Sequence, residues 1–416
     1  MKVLFLNVLD DPDVGAGVEM TLHHLTQGLI EHGIEPIMLS TANEPGLHET
    51  SRNGVRIWRA GVRNIYQPDL KHRHHPAARA LWHFLDSYNA AMQPLLRRVL
   101  AAEQPDVISL HNLAGWSAAV WQTIAALDIP SVQVLHDAYN ICPKGSMYRE
   151  DRGNCSAQCF SCRLLRLPHR TLSRRLSAVV GVSEYILARH LQAGYFREVP
   201  IQRIINNARD PEDLGITDTA NRPPDGTFRV GFIGRLDPTK GIEPLLRSFR
   251  AASLGRAELW IAGTGDTNYE LRLQAHYNDP RIRFLGRVSP RDFYPNVDVI
   301  VVPSLWHDTF PGVVFEALAF GKPVIGSRRG GIPEIIQNGE NGFLFEPDSP
   351  SELTNLIRTV AVDDDLRTRL NLAALKSANR YLDRKAWVNS YLSLYRQVSK
   401  SDKFSIDAST EQKLEQ

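Results

Sequence analysis

Short apolar runs alternate with longer segments of helical periodicity along most of the chain. The segment Glu19 to His32, for example, has apolar residues at helical spacing and follows the first apolar run. Runs of four to eight apolar residues are typical of buried strands, and strands that alternate with helices are typical of parallel sheets. The pattern therefore predicts a doubly wound α/β domain in the first half. Its predicted strands are Val3 to Val8, Ile34 to Leu39, Val107 to Leu110, Ser131 to Leu135 and Ala178 to Val182.

The same alternation restarts after a polar interruption near the middle of the chain. Proline, aspartate and asparagine residues break the periodicity between 209 and 227, which favours a linker there. We therefore predict a first domain over 1–208 and a second Rossmann-like domain over 228–382, with the two facing each other across a cleft. The predicted strands of the second domain are Phe228 to Ile233, Ala257 to Ala262, Ile282 to Leu285, Val297 to Val302, Val324 to Gly326 and Gly342 to Phe345.

The last periodic segment runs from residue 383 to residue 398 and carries Trp387, Tyr391 and Tyr395 on an amphipathic pattern. It predicts a helix, followed by a polar tail over 399–416. The 416 residues exceed one ordinary core and fit two domains. Neither a repeat of solenoid length nor a low-complexity tract is present, which disfavours an extended scaffold.

Composition narrows the class of protein. Hydrophobic residues make up 43% and charged residues 23% of the chain, values that are ordinary for a soluble globular protein. The net charge of +2 gives no overall attraction to nucleic acid. No run approaches the twenty apolar residues of a spanning helix, and the first strand meets Asp10 and Asp11 almost at once. We expect a cytoplasmic protein, with all four cysteines reduced or bound.

The forty residues from Pro303 to Gly342 hold the most informative chemistry. A predicted strand ends at Pro303, and Pro311 and Gly312 begin a short apolar helix whose first amides are free for a ligand. Asp308 precedes this helix start and Glu316 lies one turn inside it, so both carboxylates can converge on one ligand. The alternative is a solvated loop acid beside an acid on a helix face.

Two cations follow the first strand of the second domain. Arg235 and Lys240 lie five residues apart on a loop, Gly234 to Gly241, that opens a helix, so both can reach one diphosphate. Without further context, a pair of solvated loop cations is the simpler interpretation. Loops at Gly263 and at Arg287-Val288 open on the same predicted sheet edge, where a role limited to turns is the alternative.

Two histidines end strands of the first domain, where open α/β sheets bind ligands. His111 follows the strand that ends at Leu110, and His136 follows the strand that ends at Leu135, with Asp137 next to it. A packed or hydrogen-bonded structural histidine is the alternative for each. The turn at Gly15-Ala16-Gly17 brings small residues to a helix start, but it lacks the full dinucleotide fingerprint, which argues against a nicotinamide enzyme.

The segment Pro303–Gly342 resembles the signature region of the family 4 retaining glycosyltransferases, which have two Rossmann-like domains in the GT-B arrangement. Asp308 and Glu316 stand where this family has E-x7-E, although the first residue there is usually glutamate. Gly234-Arg235, followed by Lys240-Gly241, resembles the G-R-x4-K-G pattern of the family. His136-Asp137 is similar to its H-D pair, and the last helix of such proteins crosses back to the first domain.

The resemblance implies a role for each matching residue. Asp308 would contact the donor sugar, Glu316 the nucleotide ribose, Arg235 and Lys240 the diphosphate, and His136 the sugar near the reacting carbon; His136, Asp308, Arg235 and Lys240 form the implied catalytic set. The remaining donor-side residues implied are Gly15, Ala16, Gly17, Gly263, Arg287, Val288, Phe310, Gly312, Val313 and Val314. The acceptor-side residues implied are His111, Asn112 and Asp137.

The four cysteines, Cys142, Cys155, Cys159 and Cys162, all fall within 21 residues. Two interpretations stay open: a structural zinc site that uses all four thiolates, or thiols that are unpaired or form an adventitious disulfide. Some bacterial members of the resembling family carry a similar insertion after the H-D pair. The insertion, 142–162, would then shape the acceptor region.

From Arg163 to Arg175 the sequence has five arginines, one histidine and no acid, interleaved with leucines. A solvated helix face explains such a pattern. For an enzyme with lipid-linked acceptors, however, the stretch predicts weak peripheral contact with anionic lipid at the inner face of the cell membrane.

The resemblance covers nearly the whole chain and implies a retaining, metal-independent glycosyltransferase. It would move a sugar from a UDP- or GDP-sugar to a hydroxyl of a glycan or lipid-linked glycan, in assembly of a bacterial cell-surface polysaccharide or glycolipid. No cofactor would take part in catalysis, and nucleic acid is not an expected partner. A sugar-nucleotide epimerase of the same architecture and a non-catalytic nucleotide-sugar binding protein are the alternatives.

Overall fold

The computed structural model describes residues 1–11, 17–66, 75–216 and 225–414, with side chains up to residue 399. The chain forms two compact units. Unit 1 contains Met1–Met147, Cys155–Asn206 and Lys385–Gln416, and unit 2 contains Tyr148–Asn154 and Asn207–Arg384. The sequence of each unit is therefore discontinuous.

Strands and helices alternate along the described residues. The strands are β1 (Lys2–Leu6), β2 (Glu35–Ala42), β3 (Leu47–Arg52), β4 (Val55–Gly61), β5 (Val107–Leu110), β6 (Ser131–Leu135), β7 (Tyr148–Arg149), β8 (Gly153–Asn154), β9 (Ala178–Gly181), β10 (Ile201–Ile204), β11 (Phe228–Ile233), β12 (Ala257–Ala262), β13 (Ile282–Gly286), β14 (Val299–Val302), β15 (Val324–Ser327) and β16 (Gly342–Phe345).

The α-helices range from single turns to one of 31 residues. They are α1 (Gly17–Glu31), α2 (Pro76–Leu85), α3 (Gln93–Glu103), α4 (Ala119–Ala125), α5 (Phe160–Leu165), α6 (Leu167–Leu172), α7 (Glu184–Gln192), α8 (Pro211–Leu214), α9 (Ile242–Ala252), α10 (Thr267–His276), α11 (Pro290–Phe293), α12 (Gly312–Ala319), α13 (Ile332–Ile335), α14 (Pro350–Val362), α15 (Asp364–Leu382) and α16 (Arg384–Leu414).

Unit 1 is built on an eight-stranded sheet in the order β10-β9-β6-β5-β1-β2-β4-β3. Neighbouring strands are parallel, except that β3 runs antiparallel to β4 at the edge. The central strand β1 lies between β2 and β5, with Leu4 opposite Ile37 on one side and Ile108 on the other. Its residues Val3 to Leu6 are fully buried, as expected of a strand with helices on both faces.

Unit 2 is built on a six-stranded parallel sheet in the order β13-β12-β11-β14-β15-β16. Counted from β11, this is the doubly wound order 3-2-1-4-5-6. The order reverses between β11 and β14, and ligands of such sheets bind outside the carboxyl ends of the strands at that switch point. The topology therefore indicates that a ligand would bind at the loops after Ile233 and Val302.

The long C-terminal helix α16 packs in unit 1 through Trp387, Val388, Tyr391 and Tyr395, which are all buried. A Cβ placed on Gly28 of α1 would lie 2.5 Å from Val388 Cγ2, so glycine permits this close approach. The Tyr395 hydroxyl donates a hydrogen bond to Ser109 Oγ at 2.9 Å.

The architecture confirms the predicted α/β class with two Rossmann-like parallel sheets and a last helix on the first domain. The hydrophobic pattern missed β3, β4, β7, β8 and β10. Strand β3 is mostly exposed and polar, so it carries no apolar run. Helix α16 continues to Leu414, beyond the predicted end at residue 398.

Candidate active site

The loop after β11 places Lys240 against Asp308 at the switch point of unit 2. Asp237 caps the 3₁₀ turn Pro238–Lys240, since its Oδ1 accepts the Thr239 amide at 2.9 Å. The turn directs Lys240 Nζ to within 2.6 Å of Asp308 Oδ2 and 5.2 Å of the Trp306 ring centroid. The structure therefore brings together two residues predicted from separate motifs.

Arg235 lies earlier on the same loop and stays accessible. Its side chain is 62% exposed, compared with 24% for Lys240, and its guanidinium lies 3.9 Å from Asp237. An exposed ion pair of this length contributes little to stability. The fork of Arg235 is therefore available to phosphate oxygens.

Glycines hold the neighbouring loops in close contact. Gly263 has a φ of +127°, and a Cβ there would lie 1.8 Å from Gly234 O. The Gly263 amide donates to Gly286 O at 2.6 Å, which joins the ends of β12 and β13. Two predicted donor-side residues come directly after Gly286. Arg287 is exposed and Val288 is half-buried.

Helix α12 begins at Gly312 with no side-chain cap among the described residues. The Val314 amide bonds back to Pro311 O at 3.1 Å, while the first amides, at Gly312 and Val313, come before the helical hydrogen-bond pattern. Both of these residues are half-buried, so the helix start is open to an oxygen-rich ligand.

Glu316 lies one turn into α12 with partners on two sides. Its Oε1 is 3.5 Å from Arg209 Nε, and its Oε2 is 3.4 Å from the Tyr294 hydroxyl. A Cβ on Gly312 would lie 3.0 Å from Glu316 Oε1, so a side chain there would crowd the carboxylate. Phe310, also predicted on the donor side, is buried against the rings of Phe315 and Tyr381.

In unit 1, the two strand-end histidines contact each other. His111 Nδ1 lies 2.8 Å from His136 Nε2, and the rings stack with centroids 5.1 Å apart. His111 Nε2 also bonds Ser109 Oγ at 3.0 Å, which extends the network to Tyr395. Burial lowers the pKa of His136 to about 4 and holds that of His111 well below its usual value. Both rings are therefore neutral near pH 7.

The other residues predicted on the acceptor side, Asn112 and Asp137, follow these histidines directly in the sequence. The Asn112 amide donates to Asn7 Oδ1 at 3.1 Å, and Asn7 Nδ2 donates to Glu19 Oε1 at 3.1 Å. Burial raises the pKa of Asp137 to about 6, although its carboxylate accepts the Tyr139 amide at 2.8 Å. Gly17 begins α1, whereas the predicted residues Gly15 and Ala16 lie outside the described residues.

The four cysteines, all within the described residues, are not joined in disulfides. Cys142 is buried and the other three are half-buried. A hydrogen bond from Cys162 lowers the pKa of Cys142 to about 6, and Cys162 also contacts Cys159. Within the described ranges, no group of three or more His, Cys, Asp or Glu side chains is arranged to hold a metal ion. The zinc site therefore gains no support from the geometry and stays a prediction.

Three polar residues near these groups were missed in the sequence. Asn7 could have been found, because it is a polar residue at the carboxyl end of the first predicted strand. Arg209 and Asn154 gave no such signal, since their partners, Glu316 and the loop before Asp308, are more than a hundred residues away.

Comparison with known families accounts for both halves of the chain. Residues 16–207 match the family described as glycosyl transferase 4-like domain, and residues 227–363 match the family described as glycosyl transferases group 1. Between them the two models match most of the chain, and the two Rossmann-like sheets agree with them. The chain belongs to the family 4 glycosyltransferases.

Relatives and solved structures agree with this assignment. An uncharacterized 42.6 kDa protein in the cps region of Klebsiella pneumoniae is 28% identical over 372 residues, covering 89% of this glycosyltransferase and 96% of the relative. A GDP-mannose-dependent alpha-mannosyltransferase of Mycolicibacterium smegmatis is 29% identical over 68% of this chain and 72% of its own length.

Two solved structures share the GT-B fold. Sucrose-phosphate synthase from Thermosynechococcus elongatus has a TM-score of 0.76 at 19% identity and covers 96% of this chain and 99% of its own. Anabaena Alr3699/HepE, solved with UDP and glucose, has a TM-score of 0.67 at 21% identity and covers 95% and 99%. Across the described part of this glycosyltransferase, helices with both the length and the apolar character to span a bilayer are absent.

Proposed function

We propose that this glycosyltransferase transfers a sugar with retention of anomeric configuration, from a nucleoside diphosphate sugar to a hydroxyl of a glycan or lipid-linked glycan. The convergence of Lys240 and Asp308 at the switch point of unit 2 carries the proposal. The Lys240 ammonium can bind a phosphate, and the Asp308 carboxylate, 2.6 Å away, can accept hydrogen bonds from sugar hydroxyls.

The chemistry proposed for unit 2 is departure of the nucleoside diphosphate. The bond from the anomeric carbon to the phosphate oxygen breaks, and the acceptor oxygen bonds to the same face of that carbon. The departing phosphate oxygen takes the acceptor proton. Arg235, Lys240 and the amides at the start of α12 stabilise the negative charge that develops on the phosphate. Asp308 binds the sugar and is not a covalent nucleophile.

The groups proposed on the acceptor side are His111, Asn112, His136 and Asp137. A neutral His136 ring can form a hydrogen bond with a sugar hydroxyl. Because it is uncharged, it does not place a positive charge beside the anomeric carbon, which itself becomes electron-poor during transfer. The contact from His111, at 2.8 Å, fixes the orientation of this ring. Asn112 is positioned through Asn7.

The proposed donor is a UDP- or GDP-sugar, and transfer requires no metal ion. Glu316 would hold the ribose hydroxyls, with Arg209 and Tyr294 fixing its carboxylate. One similar protein was solved with UDP and glucose, and one relative is a GDP-mannose-dependent alpha-mannosyltransferase, which supports these two bases for a screen. The cps region of the Klebsiella relative supports a role in surface polysaccharide assembly.

A donor screen tests the proposal. Thermal shifts are measured with UDP, GDP, ADP and their sugars, and the preferred donor is then incubated with candidate acceptors and with chelator. We expect stabilisation by one nucleotide class, a product with the anomeric configuration of the donor, and unchanged turnover in chelator. Donor conversion without an acceptor would identify an epimerase, and stabilisation without turnover would identify a binding protein.

Two variants test the residues assigned to the donor. Glu316→Ala should abolish most of the thermal shift with nucleotide, because it removes the ribose ligand. Arg235→Ala should lower kcat by about 100-fold or more, because its charge acts on the departing phosphate. Wild-type behaviour of both variants would contradict the assignment.

We propose further that unit 1 associates weakly with anionic lipid at the inner face of the cell membrane. Phe160, Leu164 and Leu167 recur at helical spacing on α5 and α6, with exposures of 83%, 63% and 53%. Arg163, Arg174 and Arg175 are exposed on the same stretch, which contains no acid. An apolar stripe flanked by arginines complements an anionic headgroup surface.

Vesicle flotation tests this association. The wild type should float with phosphatidylglycerol-containing vesicles and less with phosphatidylcholine alone. The variant Phe160→Ser/Leu164→Ser/Leu167→Ser should float several-fold less. A matched control changes exposed aliphatic residues of unit 2: Leu271→Ser/Val362→Ser/Leu372→Ser. Equal flotation of the two triple variants would contradict the proposal.

A further inference from the structure

A small hairpin from the first half of the sequence belongs to unit 2. Strands β7 and β8 pair antiparallel, with Tyr148 opposite Asn154, and the segment Tyr148–Asn154 is the part of 1–206 that lies in unit 2. Its base is closed by the Cys155 amide, which donates to Met147 O at 2.7 Å. The chain therefore leaves unit 1 for the seven residues of the hairpin and then returns to unit 1.

The side chain of Asn154 holds the loop that precedes Asp308. Asn154 Nδ2 donates to Leu305 O at 2.7 Å, and the His307 amide donates to Asn154 Oδ1 at 3.2 Å. An amide side chain can donate and accept at once, as a neighbouring strand would. Asn154 thereby supplies partners to two backbone groups of a loop outside the sheet.

The turn after β15 also holds this loop. The Gly330 amide donates to His307 Nδ1 at 3.0 Å, and the Gly331 amide donates to Asp308 O at 2.8 Å. A Cβ on Gly330 would lie 1.9 Å from Asp308 O. The Leu305–Asp308 loop is thus held by three sets of contacts: the Asn154 side chain, the turn after β15, and Thr239 O, which accepts the Leu305 amide at 2.8 Å.

We propose that Asn154 is a positioning residue for transfer: it fixes the Leu305–Asp308 loop so that Asp308 meets the donor sugar while paired with Lys240. This inference rests on the proposed function. It also gives a role to the hairpin inside the cysteine-bearing insertion, which reaches the donor loop through its last residue before Cys155.

Loss of the two hydrogen bonds from Asn154, which we call the Asn154 clamp, should impair the positioning of the donor sugar more than the binding of the nucleotide. Asn154→Ala leaves Leu305 O and His307 N to water, and misplacement of a reacting group by about 1 Å can cost about 100-fold in rate. We expect kcat/KM for the intact donor to fall by about 10- to 100-fold. Binding of the nucleoside diphosphate should stay within about twofold, because Glu316 and the start of α12 do not depend on Asn154.

The experiment compares Asn154→Ala with the isosteric Asn154→Asp. An ionised aspartate can still accept from the His307 amide but cannot donate to Leu305 O; its protonated form can do both. The activity of Asn154→Asp relative to wild type should therefore rise as the pH falls toward its carboxyl pKa. The control is Asn338→Ala, which removes one bond to the Leu344 amide in another loop of unit 2.

Hydrogen exchange separates this inference from the proposed function. Without any ligand, Asn154→Ala should speed amide exchange in the Leu305–Asp308 loop, and Asn338→Ala should not. Unchanged amide exchange in Asn154→Ala, or a wild-type kcat/KM, would overturn the inference. A loss of nucleotide binding as large as the loss of kcat/KM would also overturn it, because it indicates general destabilisation. Faster exchange in a chain that turns over no sugar nucleotide would support the clamp and overturn the proposed function.

Discussion

Burial controls the charge of several histidines in unit 1. Burial holds the pKa of each of five described histidines below its ordinary value: His83, His111, His136, His169 and His190. In the unfolded chain these rings titrate near the ordinary value of about 6.5. The unfolded state therefore binds more protons than the native state as the pH falls below about 6.5, and the free energy of unfolding decreases. Asp86 and Asp137 act in the opposite sense, since burial raises each pKa to about 6.

His190 allows a test of this linkage outside the proposed site. Its Nδ1 lies 2.8 Å from Ile186 O, its Nε2 has no hydrogen-bond partner in the described part of the chain, and its pKa is lowered to about 4. Between pH 7 and pH 5, wild type should lose about 2 kcal/mol more stability than His190→Gln. Denaturant unfolding at both pH values measures the difference, with the exposed His48→Gln as a control. Equal losses would contradict it.

Lys240 allows a test of charge at the proposed donor site. Lys240→Met keeps most of the side-chain volume but removes the cation beside Asp308. We expect kcat to fall by about 100-fold or more, since the charge that we propose stabilises the departing phosphate is lost. Steady-state kinetics with the preferred donor measures the effect, and Arg247→Met, an exposed cation on α9, is the control. A change in KM alone would assign Lys240 to ground-state binding.

At the residue scale, the sequence predicts those site residues whose neighbours in the chain form a recognisable local pattern. Arg235 and Lys240 lie between glycines on a loop after an apolar strand, and Glu316 follows a proline-marked helix start. Arg209 and Asn154 could not be found in this way. Their partners are set by tertiary contact, and an isolated arginine or asparagine in a polar stretch looks the same whether it is solvated or bonded.

At the element scale, the junction between the Lys240 turn and α9 depends on one glycine. Gly241 has a φ of +76°, and a Cβ there would lie 1.8 Å from Pro303 O at the end of β14. The turn and the strand end therefore touch through bare backbone. Both carry groups of the switch point, so their spacing sets the position of Lys240 relative to the loop of Asp308.

Gly241→Ala should separate these two elements. We expect a loss of roughly 3 kcal/mol or more in stability, from the left-handed backbone and the contact with Pro303 O, together with weaker donor binding. Denaturant unfolding and nucleotide thermal shifts measure the two effects. Gly255→Ala is the control, because a Cβ there meets no described atom within 4 Å. Similar behaviour of the two variants would contradict this account.

The elements themselves divide into those that the hydrophobic pattern predicts and those that it does not. Strands β11, β12 and β14 consist mostly of apolar residues, and each was predicted within two residues of its bounds. Strand β3 pairs at a sheet edge with its side chains in solvent, and the hairpin of β7 and β8 has only two residues in each strand. Such elements are stabilised by backbone pairing, which leaves no periodic signal in side-chain polarity.

At the scale of the whole molecule, the last helix completes the unit that contains the first strand. Tyr395 of α16 is fully buried, its ring meets Phe5 of β1 edge-on at 6.2 Å, and its hydroxyl bonds Ser109 of β5. Unit 1 therefore contains both ends of the described chain, whereas unit 2 forms its sheet from a continuous part of the sequence. The stability of unit 1 should depend on residues that lie almost four hundred positions apart.

Tyr395→Ala tests this dependence. Removal of a buried aromatic ring typically costs about 3–5 kcal/mol, and here it also leaves Ser109 Oγ without its donor from α16. Because the groups that we propose bind the nucleotide lie in unit 2, the variant should lose stability in unit 1 while it still binds nucleotide with wild-type affinity. Hydrogen exchange of β1 and β5 against that of β11 and β14 locates the loss, and Tyr88→Ala, at a 37% exposed tyrosine of unit 1, is the control. Equal acceleration in both sheets would show that the two units unfold as one, and it would reject the assignment of α16 to the stability of unit 1 alone.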